Sequence, residues 1–186
     1  MKPNLIVKMA HMILSHEIKS NDVMVDATMG NGHDTLFLAE HAKHVYAFDI
    51  QMEALHATQH KMDQHGFTNY TLIHDSHEHI HQYVTDYRGV IFNLGYLPNH
   101  DKSITTKKET TLLALKSILP SLSVDGFVLL VVYVGHKEGF EESLALNDYF
   151  KALDASIYKV MKVDLPYQDN QPPYIIFIKK VKEESN

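Results

Sequence analysis

The segment Val23-Met-Val-Asp-Ala-Thr-Met-Gly-Asn-Gly-His-Asp-Thr35 decides the fold of this chain. A short apolar run ends in Asp26, two glycines follow at Gly30 and Gly32, and an apolar periodic stretch begins at Leu36. This pattern predicts a strand, a tight turn and the N-terminus of a helix, because glycine tolerates a positive φ. A ligand can lie against the bare backbone of such a turn and meet the first N–H groups of the helix.

A second apolar run, Val45-Tyr-Ala-Phe-Asp49, also closes on an acid, 17 residues after Gly32. A carboxylate at this position can accept hydrogen bonds from a ribose diol. The two segments together predict a nucleoside-containing cofactor at the edge of a parallel sheet. The plainer alternatives are a tight turn without a ligand and an Asp49 that only caps the next helix.

Composition limits the classes of function. The 186 residues, 45% of them hydrophobic, suit one soluble domain over 1–186. No signal-peptide pattern and no apolar run of about 20 residues is present, so we expect a cytoplasmic protein without a membrane partner. The absence of cysteine excludes disulfides and thiolate metal sites. A net charge of −6 with one arginine, Arg88, argues against a general nucleic-acid coat, although 14 histidines permit a local basic face. The sequence is compatible with a homo-oligomer.

Hydrophobic periodicity predicts that helices and strands alternate along the chain. We expect helices at about 4–19, 33–42, 52–66, 106–120 and 139–153, the fourth opened by the capping box Thr106-Lys-Lys-Glu109. We expect strands at about 23–27, 44–49, 70–74, 88–93, 127–134, 156–163 and 174–181. No helix separates the last two strands, so they must pair as an antiparallel hairpin. The prediction is an α/β fold with a mostly parallel seven-stranded sheet and helices on both faces.

This order resembles the Rossmann-like class I fold of methyltransferases that use S-adenosylmethionine (SAM). The pattern Asp26-x-Thr-x-Gly-x-Gly32 is similar to motif I of that class. A nicotinamide-dependent oxidoreductase is the rival, but Thr35 stands where its third glycine would be. The resemblance implies SAM as cofactor, bound by Asp26, Thr28, Gly30, Asn31, Gly32, His33, Asp34, Asp49 and Gln51.

The segment His74-Asp-Ser-His77 follows the third strand, and the same resemblance places it beside the adenine ring. Asp75, Ser76 and His77 are therefore candidate cofactor contacts. Asp75 with Glu78 could instead be a capping pair. The four histidines between 74 and 81 also suggest zinc, but we favour a solvated histidine-rich helix and predict no metal.

Asn93-Leu-Gly-Tyr96-Leu-Pro98 comes directly after the fourth strand. Its Asn-x-x-Tyr spacing resembles the Asn-Pro-Pro-Tyr signature of amino-group methyltransferases. The Asn93 side-chain oxygen and the Leu94 carbonyl can accept N–H bonds from an amine, and Tyr96 can stack on a base or lie near a sulfonium. Asn93 is expected to face both cofactor and acceptor. The alternative is a turn that merely ends a strand.

Two later loops, Tyr133-Val-Gly-His136 and Asp169-Asn-Gln-Pro-Pro-Tyr174, belong on the substrate side of such a fold. His136 and Asn170 are candidate substrate contacts, with ordinary turn chemistry as the alternative. The lysines at 102, 107 and 108 are either phosphate contacts or a solvated face.

These segments together resemble a small family of methyltransferases formerly labelled rRNA methylases, which includes the bacterial tRNA 5-aminomethyl-2-thiouridine methyltransferase. The resemblance implies N-methylation of the wobble uridine in a tRNA anticodon stem-loop. It implies the catalytic residues Asn93, Tyr96 and Asp101 and the substrate contacts Leu94, Gly95, Tyr96, Pro98, His100, Lys102, Tyr133, His136 and Asn170. One departure stands out, since Asn99-His100 replaces the family's usual Gly-Gly before Asp101-Lys102.

The acceptor chemistry follows from the residues. An alkyl amine offers a lone pair only when neutral, which burial favours, and Asp101, His100 or Tyr96 could receive the proton. Without cysteine, C5-methylation through attack on a pyrimidine C6 is excluded. The alternatives are methylation of rRNA or of a small-molecule amine, and a non-catalytic module that binds RNA or cofactor.

Overall fold

The structure is a computed structural model that describes residues 5–95, 106–169 and 171–184. The helices are α1 (Leu5–Glu17), α2 (His33–His41), α3 (Met52–His65), α4 (Lys108–Ser121) and α5 (Lys137–Lys151). The strands are β1 (Val23–Asp26), β2 (His44–Asp49), β3 (Tyr70–His74), β4 (Gly89–Leu94), β5 (Phe127–Val132), β6 (Tyr158–Val163) and β7 (Tyr174–Lys180). A short 3-10 helix spans His77–Gln82.

The described strands form one sheet of seven, in the order β3-β2-β1-β4-β5-β7-β6. The first five strands in this order pair in parallel, and β7 lies antiparallel between β5 and β6. The predicted fold class is confirmed. The strand order reverses between β1 and β4, and a crevice forms beyond the carboxyl ends of the strands at such a point.

Both faces of the central strands β1, β4 and β5 are buried, as their apolar runs require. Successive side chains of a strand point to opposite faces, so Ile91 joins one core while Val90 and Phe92 join the other. The first core is closed by α1, α2 and α3, and the second by α4, α5 and the 3-10 helix. The predicted placement of helices on both faces is therefore confirmed. None of the helices in the described ranges is long and apolar enough to cross a membrane.

The element bounds lie within two residues of those predicted, but the capping box at Thr106 is wrong. Lys107 is the N-cap of α4, and no side chain caps the helix. The Thr106 hydroxyl instead donates to Glu142 Oε2 of α5, at 3.0 Å. A buried carboxylate needs donors more than a helix end near solvent does, so the tertiary partner displaces the local one. The helix also continues past Pro120 to Ser121.

Candidate active site

The loops that follow the parallel strands enclose a cavity of about 660 Å³. This volume lies within the range of small-molecule sites. One side, which we call the parallel wall, consists of lining residues at and after the ends of β1, β2 and β3, including the starts of α2 and the 3-10 helix: Ala27, Thr28, Met29, Gly30, Asn31, His33, Asp34, Asp49, Ile50, Gln51, Asp75, Ser76, His77 and Glu78. The other side, the opposite wall, consists of Asn93, Leu94, Gly95, Thr106, Lys107, Thr110, Tyr133, Gly135, His136 and Gln171.

The glycine turn, residues 27–32, adopts a backbone that side chains resist. Gly30 and Gly32 have φ values of 50° and 71°, in the left-handed region. Gly32 also packs against α3, because a Cβ there would lie 2.9 Å from the Thr58 Cα. Gly32 itself sits behind the cavity lining, where it closes the turn and starts α2.

Asp49 ties the glycine turn to β2. Its Oδ2 accepts from the Gly30 N–H and its Oδ1 from the Gln51 N–H, both at 3.0 Å. Burial raises the pKa of Asp49, and these backbone donors oppose the shift. Asp49 does not cap α3, because Gln51 is the N-cap and no side chain bonds the first turn. Asp49 instead holds the Gln51 backbone and lines the cavity. Each carboxylate oxygen has a second lone pair for a ligand hydroxyl.

Asp26 supports the turn from beneath and does not line the cavity. It is completely buried; its Oδ2 accepts from the Thr35 hydroxyl at 2.6 Å and its Oδ1 from the Thr28 N–H at 3.1 Å. Burial raises the pKa of Asp26 to about 7, and the negative charge of Asp34 adds to the effect. Thr35, at the position of a dehydrogenase's third glycine, is thus a structural partner of Asp26.

The third junction differs from the solvated histidine-rich helix that we expected. It is a 3-10 helix, and His77 is 8% exposed and packs edge-to-face on Phe92 at 5.4 Å. His77 Nδ1 lies 3.2 Å from the Ala27 carbonyl, and burial lowers the pKa of His77 to about 4. The cause is the apolar sheet edge, which admits only the neutral ring.

Asp75 lines the cavity, but its carboxylate accepts hydrogen bonds from neighbouring residues. It accepts from the Ser76 N–H at 2.7 Å, from His79 Nδ1 at 2.9 Å and from the Tyr83 hydroxyl at 2.8 Å. The His79 hydrogen bond is the main reason why the pKa of Asp75 is lowered. Asp75 and Ser76 are therefore placed at the cavity, with Asp75 turned towards the 3-10 helix. The alternative, a capping pair with Glu78, is not formed, since no side chain caps this helix.

Asn93 stands where the two walls meet. Its backbone N–H donates to the Thr28 hydroxyl at 2.7 Å, and its side-chain Nδ2 donates to Asp34 Oδ2 at 2.9 Å. Because a carboxylate only accepts, the amide must present Nδ2 to Asp34 and Oδ1 elsewhere. His11 Nε2 lies 2.7 Å from the other oxygen of Asp34. The sequence alone did not assign His11 a role, because nothing in the spacing of α1 relates it to β4.

The opposite wall depends on a buried carboxylate. Glu142 is 2% exposed and accepts from the Thr111 hydroxyl at 2.6 Å and from Thr106. Burial raises the pKa of Glu142, and the hydrogen bonds from Thr111 and Thr106 oppose the shift. Gly139 lets α5 approach this wall, because a Cβ there would overlap the Tyr133 carbonyl oxygen. Sequence reasoning also missed Glu142, which carries no motif.

The structure brings most predicted site residues together. Of the predicted cofactor contacts, all line the cavity except Asp26 and Gly32; of the predicted substrate contacts, Leu94, Gly95, Tyr133 and His136 line it. Six predicted residues lie outside the described ranges: Tyr96, Pro98, His100, Asp101, Lys102 and Asn170. Gly95 and Thr106 flank the first five of these, line the cavity and share a backbone hydrogen bond of 3.0 Å.

Charge distinguishes the two walls. Asp34, Asp49 and Asp75 line the parallel wall, and such a surface favours a cationic ligand. The opposite wall carries Lys107 and His136 instead. In the part of the chain that the structure describes, no cluster of three or more His, Asp or Glu side chains could hold a metal ion.

The chain is similar to proteins of known classification. A family model described as "Putative rRNA methylase" matches residues 45–179. The chloroplastic tRNA (mnm(5)s(2)U34)-methyltransferase of Arabidopsis thaliana is 33% identical over 188 aligned residues, which cover 93% of this chain and 69% of that protein.

Two solved structures extend the likeness to three dimensions. A "putative methyltransferase" of Streptococcus mutans in complex with SAH (S-adenosylhomocysteine) is 40% identical with a TM-score of 0.89, covering 96% of this chain and 99% of that one. A "putative rRNA-methylase" of Clostridium thermocellum is 35% identical with a TM-score of 0.92, covering 97% of this chain and 100% of that one.

Proposed function

This chain belongs to the "Putative rRNA methylase" family and is a SAM-dependent methyltransferase, and from that premise we propose its acceptor. The protein converts 5-aminomethyl-2-thiouridine to 5-methylaminomethyl-2-thiouridine at the wobble position of tRNA. The observation that carries the proposal is the fixed Asn93 amide at the junction of the two walls.

The parallel wall fits SAM. Glycines with positive φ in its turn leave the backbone accessible to a ligand. Asp49 offers carboxylate lone pairs for ligand hydroxyl groups, and the three lining aspartates favour a cationic ligand. When bound, SAM supplies an electrophilic methyl group on a positively charged sulfur. Thr28, Gly30, Asp49 and Gln51 would hold it, while Asp26 and Gly32 support the turn from behind.

Asn93 orients the acceptor. Since Nδ2 is engaged by Asp34, Oδ1 is the group left to accept an N–H from an amine. One such hydrogen bond directs the remaining lone pair of a neutral amine. Orientation of this kind contributes roughly 7–11 kcal/mol in well-aligned reactions, so no covalent enzyme intermediate is required.

The acceptor nitrogen must also lose a proton. We propose that Asp101, His100 or Tyr96 receives it. These residues belong to the segment that starts after Gly95 and ends before Thr106, and both of those residues line the cavity. The opposite wall would face the nucleic acid with Lys107 and His136. Pro98, Lys102 and Asn170 stay predicted substrate contacts.

The proposal of a tRNA substrate rests on the relative from Arabidopsis thaliana, whose name states the wobble uridine U34. The anticodon stem-loop would approach the opposite wall, where Lys107 and His136 lie. With a net charge of −6 and one arginine, the chain would bind RNA through lysine, histidine and backbone groups. A tRNA substrate also implies action in the compartment that holds tRNA, the cytoplasm in a bacterium.

The test is methyl transfer to defined RNA. The purified protein is incubated with SAM and tRNA from a strain that accumulates 5-aminomethyl-2-thiouridine, and the nucleosides are identified by mass spectrometry. We expect 5-methylaminomethyl-2-thiouridine to appear. An unmodified transcript of the same tRNA is the matched control, because it lacks the aminomethyl nitrogen. Equal methylation of that transcript, or methylation only of rRNA or a small amine, would overturn the proposal.

A further inference from the structure

Three side chains from distant parts of the chain form a continuous hydrogen-bonded row. His11 Nε2 of α1 lies 2.7 Å from Asp34 Oδ1, and Asp34 Oδ2 accepts from Asn93 Nδ2 at 2.9 Å. The row joins the outer helix α1 to the end of β4. Because both oxygens of Asp34 are engaged, its carboxylate has one preferred orientation.

The histidine end of the row is itself held in place. The His11 ring stacks on Phe37 with a centroid distance of 4.1 Å and an interplanar angle of 12°. Phe37 follows Asp34 by three residues on α2, so both lie on one face of that helix. Helix α1 is anchored by its buried Ile6, Ala10 and Leu14. The ring that meets Asp34 is thus placed by packing as well as by the hydrogen bond.

The row determines which atom of Asn93 is offered to the cavity. An asparagine amide can rotate by 180° and exchange its oxygen and nitrogen at little steric cost. The Asp34 carboxylate accepts hydrogen bonds only, so it holds Nδ2 and leaves Oδ1 as the acceptor. His11 in turn donates to Asp34 and restricts its rotation.

We propose that His11 is a positioning residue for methyl transfer, which acts through Asp34 on the orientation of the Asn93 amide. This inference rests on the proposed function, because it assumes that Asn93 Oδ1 accepts an N–H from the acceptor. His11 is not among the residues that line the cavity. Its loss therefore changes the rate of transfer and leaves the binding of SAM and RNA nearly intact.

The kinetic experiment compares His11→Ala, His11→Gln and His16→Ala. We expect His11→Ala to lower kcat about tenfold, the effect of losing one charge-assisted hydrogen bond, with KM for tRNA and the SAM dissociation constant within about twofold of wild type. The glutamine amide can still donate to Asp34, so His11→Gln should recover part of kcat. His16 lies exposed on the same helix, and His16→Ala should match wild type.

A second control separates positioning from packing. His41 also contacts the Phe37 ring, at 4.4 Å, and lies 2.8 Å from the Phe37 carbonyl. His41→Ala disturbs the same aromatic cluster without touching Asp34. Equal losses of kcat in His11→Ala and His41→Ala, without recovery in His11→Gln, would overturn the proposal in favour of a structural role.

A readout without turnover tests the hydrogen-bonded row itself. In protein labelled with ¹⁵N-asparagine, the Asn93 side-chain resonances are identified by their loss in Asn93→Ala. We expect faster hydrogen exchange and a shifted Nδ2 signal in His11→Ala and neither change in His16→Ala. An unchanged Asn93 signal in His11→Ala would overturn the row. Absence of tRNA methylation by wild type would instead defeat the proposed function, while this spectrum still reports on His11.

Discussion

The two walls of the cavity are stabilised in different ways. The parallel wall is held by carboxylates at strand ends. Asp26 and Asp49 end neighbouring strands and accept hydrogen bonds from the backbone of the glycine turn. The opposite wall is held by Glu142 of α5, which accepts from Thr106 and from Thr111 of α4. The first wall repeats a feature of parallel sheets, and the second is particular to this chain.

Substrate specificity resides in the opposite wall. A cofactor common to many enzymes is met by backbone groups and strand-end acids that any parallel sheet can supply. The acceptor is met by loops of individual length and sequence, which is how one fold serves many substrates. Asn93 of the opposite wall donates to Thr28 and Asp34 of the parallel wall, so variants of the two walls are expected to differ in their effects on cofactor binding and on methyl transfer.

The largest effect is expected for Asn93→Ala. Loss of the acceptor for the substrate N–H should lower kcat at least about 100-fold, while the SAM dissociation constant stays within about threefold. Methyl transfer is measured with labelled SAM and binding by calorimetry. Asn69→Ala is the control, because Asn69 Nδ2 donates to the carbonyls of Ala39 and Ala42, away from the cavity lining.

Asn69→Ala should lose stability and keep its turnover. A loss of SAM affinity in Asn93→Ala as large as the loss of kcat would place Asn93 with the parallel wall alone. Unchanged turnover would refute its assignment as the residue that orients the acceptor.

The next effect concerns the glycine turn. Gly32→Ala should reduce the free energy of unfolding by about 3 kcal/mol, because it adds a left-handed strain of about 1–2 kcal/mol to a clash with Thr58. Gly66→Ala is the matched control. Gly66 has a φ of 73°, but a Cβ there meets nothing within 4 Å, so only about 1 kcal/mol is expected. Urea unfolding measures both, and equal losses would show that close packing on α3 is unimportant.

A smaller effect distinguishes the acids of the parallel wall. Asp49→Ala should weaken SAM binding about 10- to 100-fold, the range for a hydrogen bond to a charged group. Asp75→Ala should weaken it less than about threefold, because Asp75 already serves Ser76, His79 and Tyr83. Calorimetry decides between them. The reverse order of effects would assign ribose recognition to the third junction.

The smallest effect is a pH dependence of stability. The unfolded chain releases the Asp26 proton near pH 3.8 and the folded chain only near pH 7, so this group stabilises the protein less as pH rises between those values. The unfolded chain protonates His77 near pH 6.5 and the folded chain only near pH 4, so this group stabilises the protein more as pH rises. In wild type the contributions of Asp26 and His77 to stability therefore change in opposite directions between about pH 4 and 6.5.

Isosteric variants isolate the contribution of each group to the pH dependence of the free energy of unfolding. From pH 5 to pH 6, the free energy of unfolding of Asp26→Asn should rise by about 1 kcal/mol relative to that of wild type. The free energy of unfolding of His77→Gln should fall by about as much relative to wild type. The reason is that one proton contributes at most about 1.4 kcal/mol per pH unit. Urea unfolding at the two pH values measures this difference, and other groups cancel in the comparison with wild type. Parallel curves for wild type and Asp26→Asn would contradict the raised pKa of Asp26.

Local chemistry made the fold and the parallel wall predictable. Apolar runs such as Phe127–Val132 identify buried strands, and an acid at a strand end followed by glycines identifies the turn. Predictions failed where a tertiary partner outcompeted a local one. Thr106 bonds Glu142 instead of capping α4, and His77 is buried against Phe92 instead of solvated.

Local sequence patterns predict the order of elements, the mostly parallel sheet and the strand-end residues at its carboxyl edge, because hydrophobic periodicity and turn chemistry act over a few neighbouring residues. The packed structure is needed to see that Asp26 lies behind the lining, that Glu142 holds the opposite wall and that His11 is linked to Asn93 through Asp34. Such contacts join residues that no sequence spacing relates, since burial and charge bring them together only when the helices pack onto the sheet.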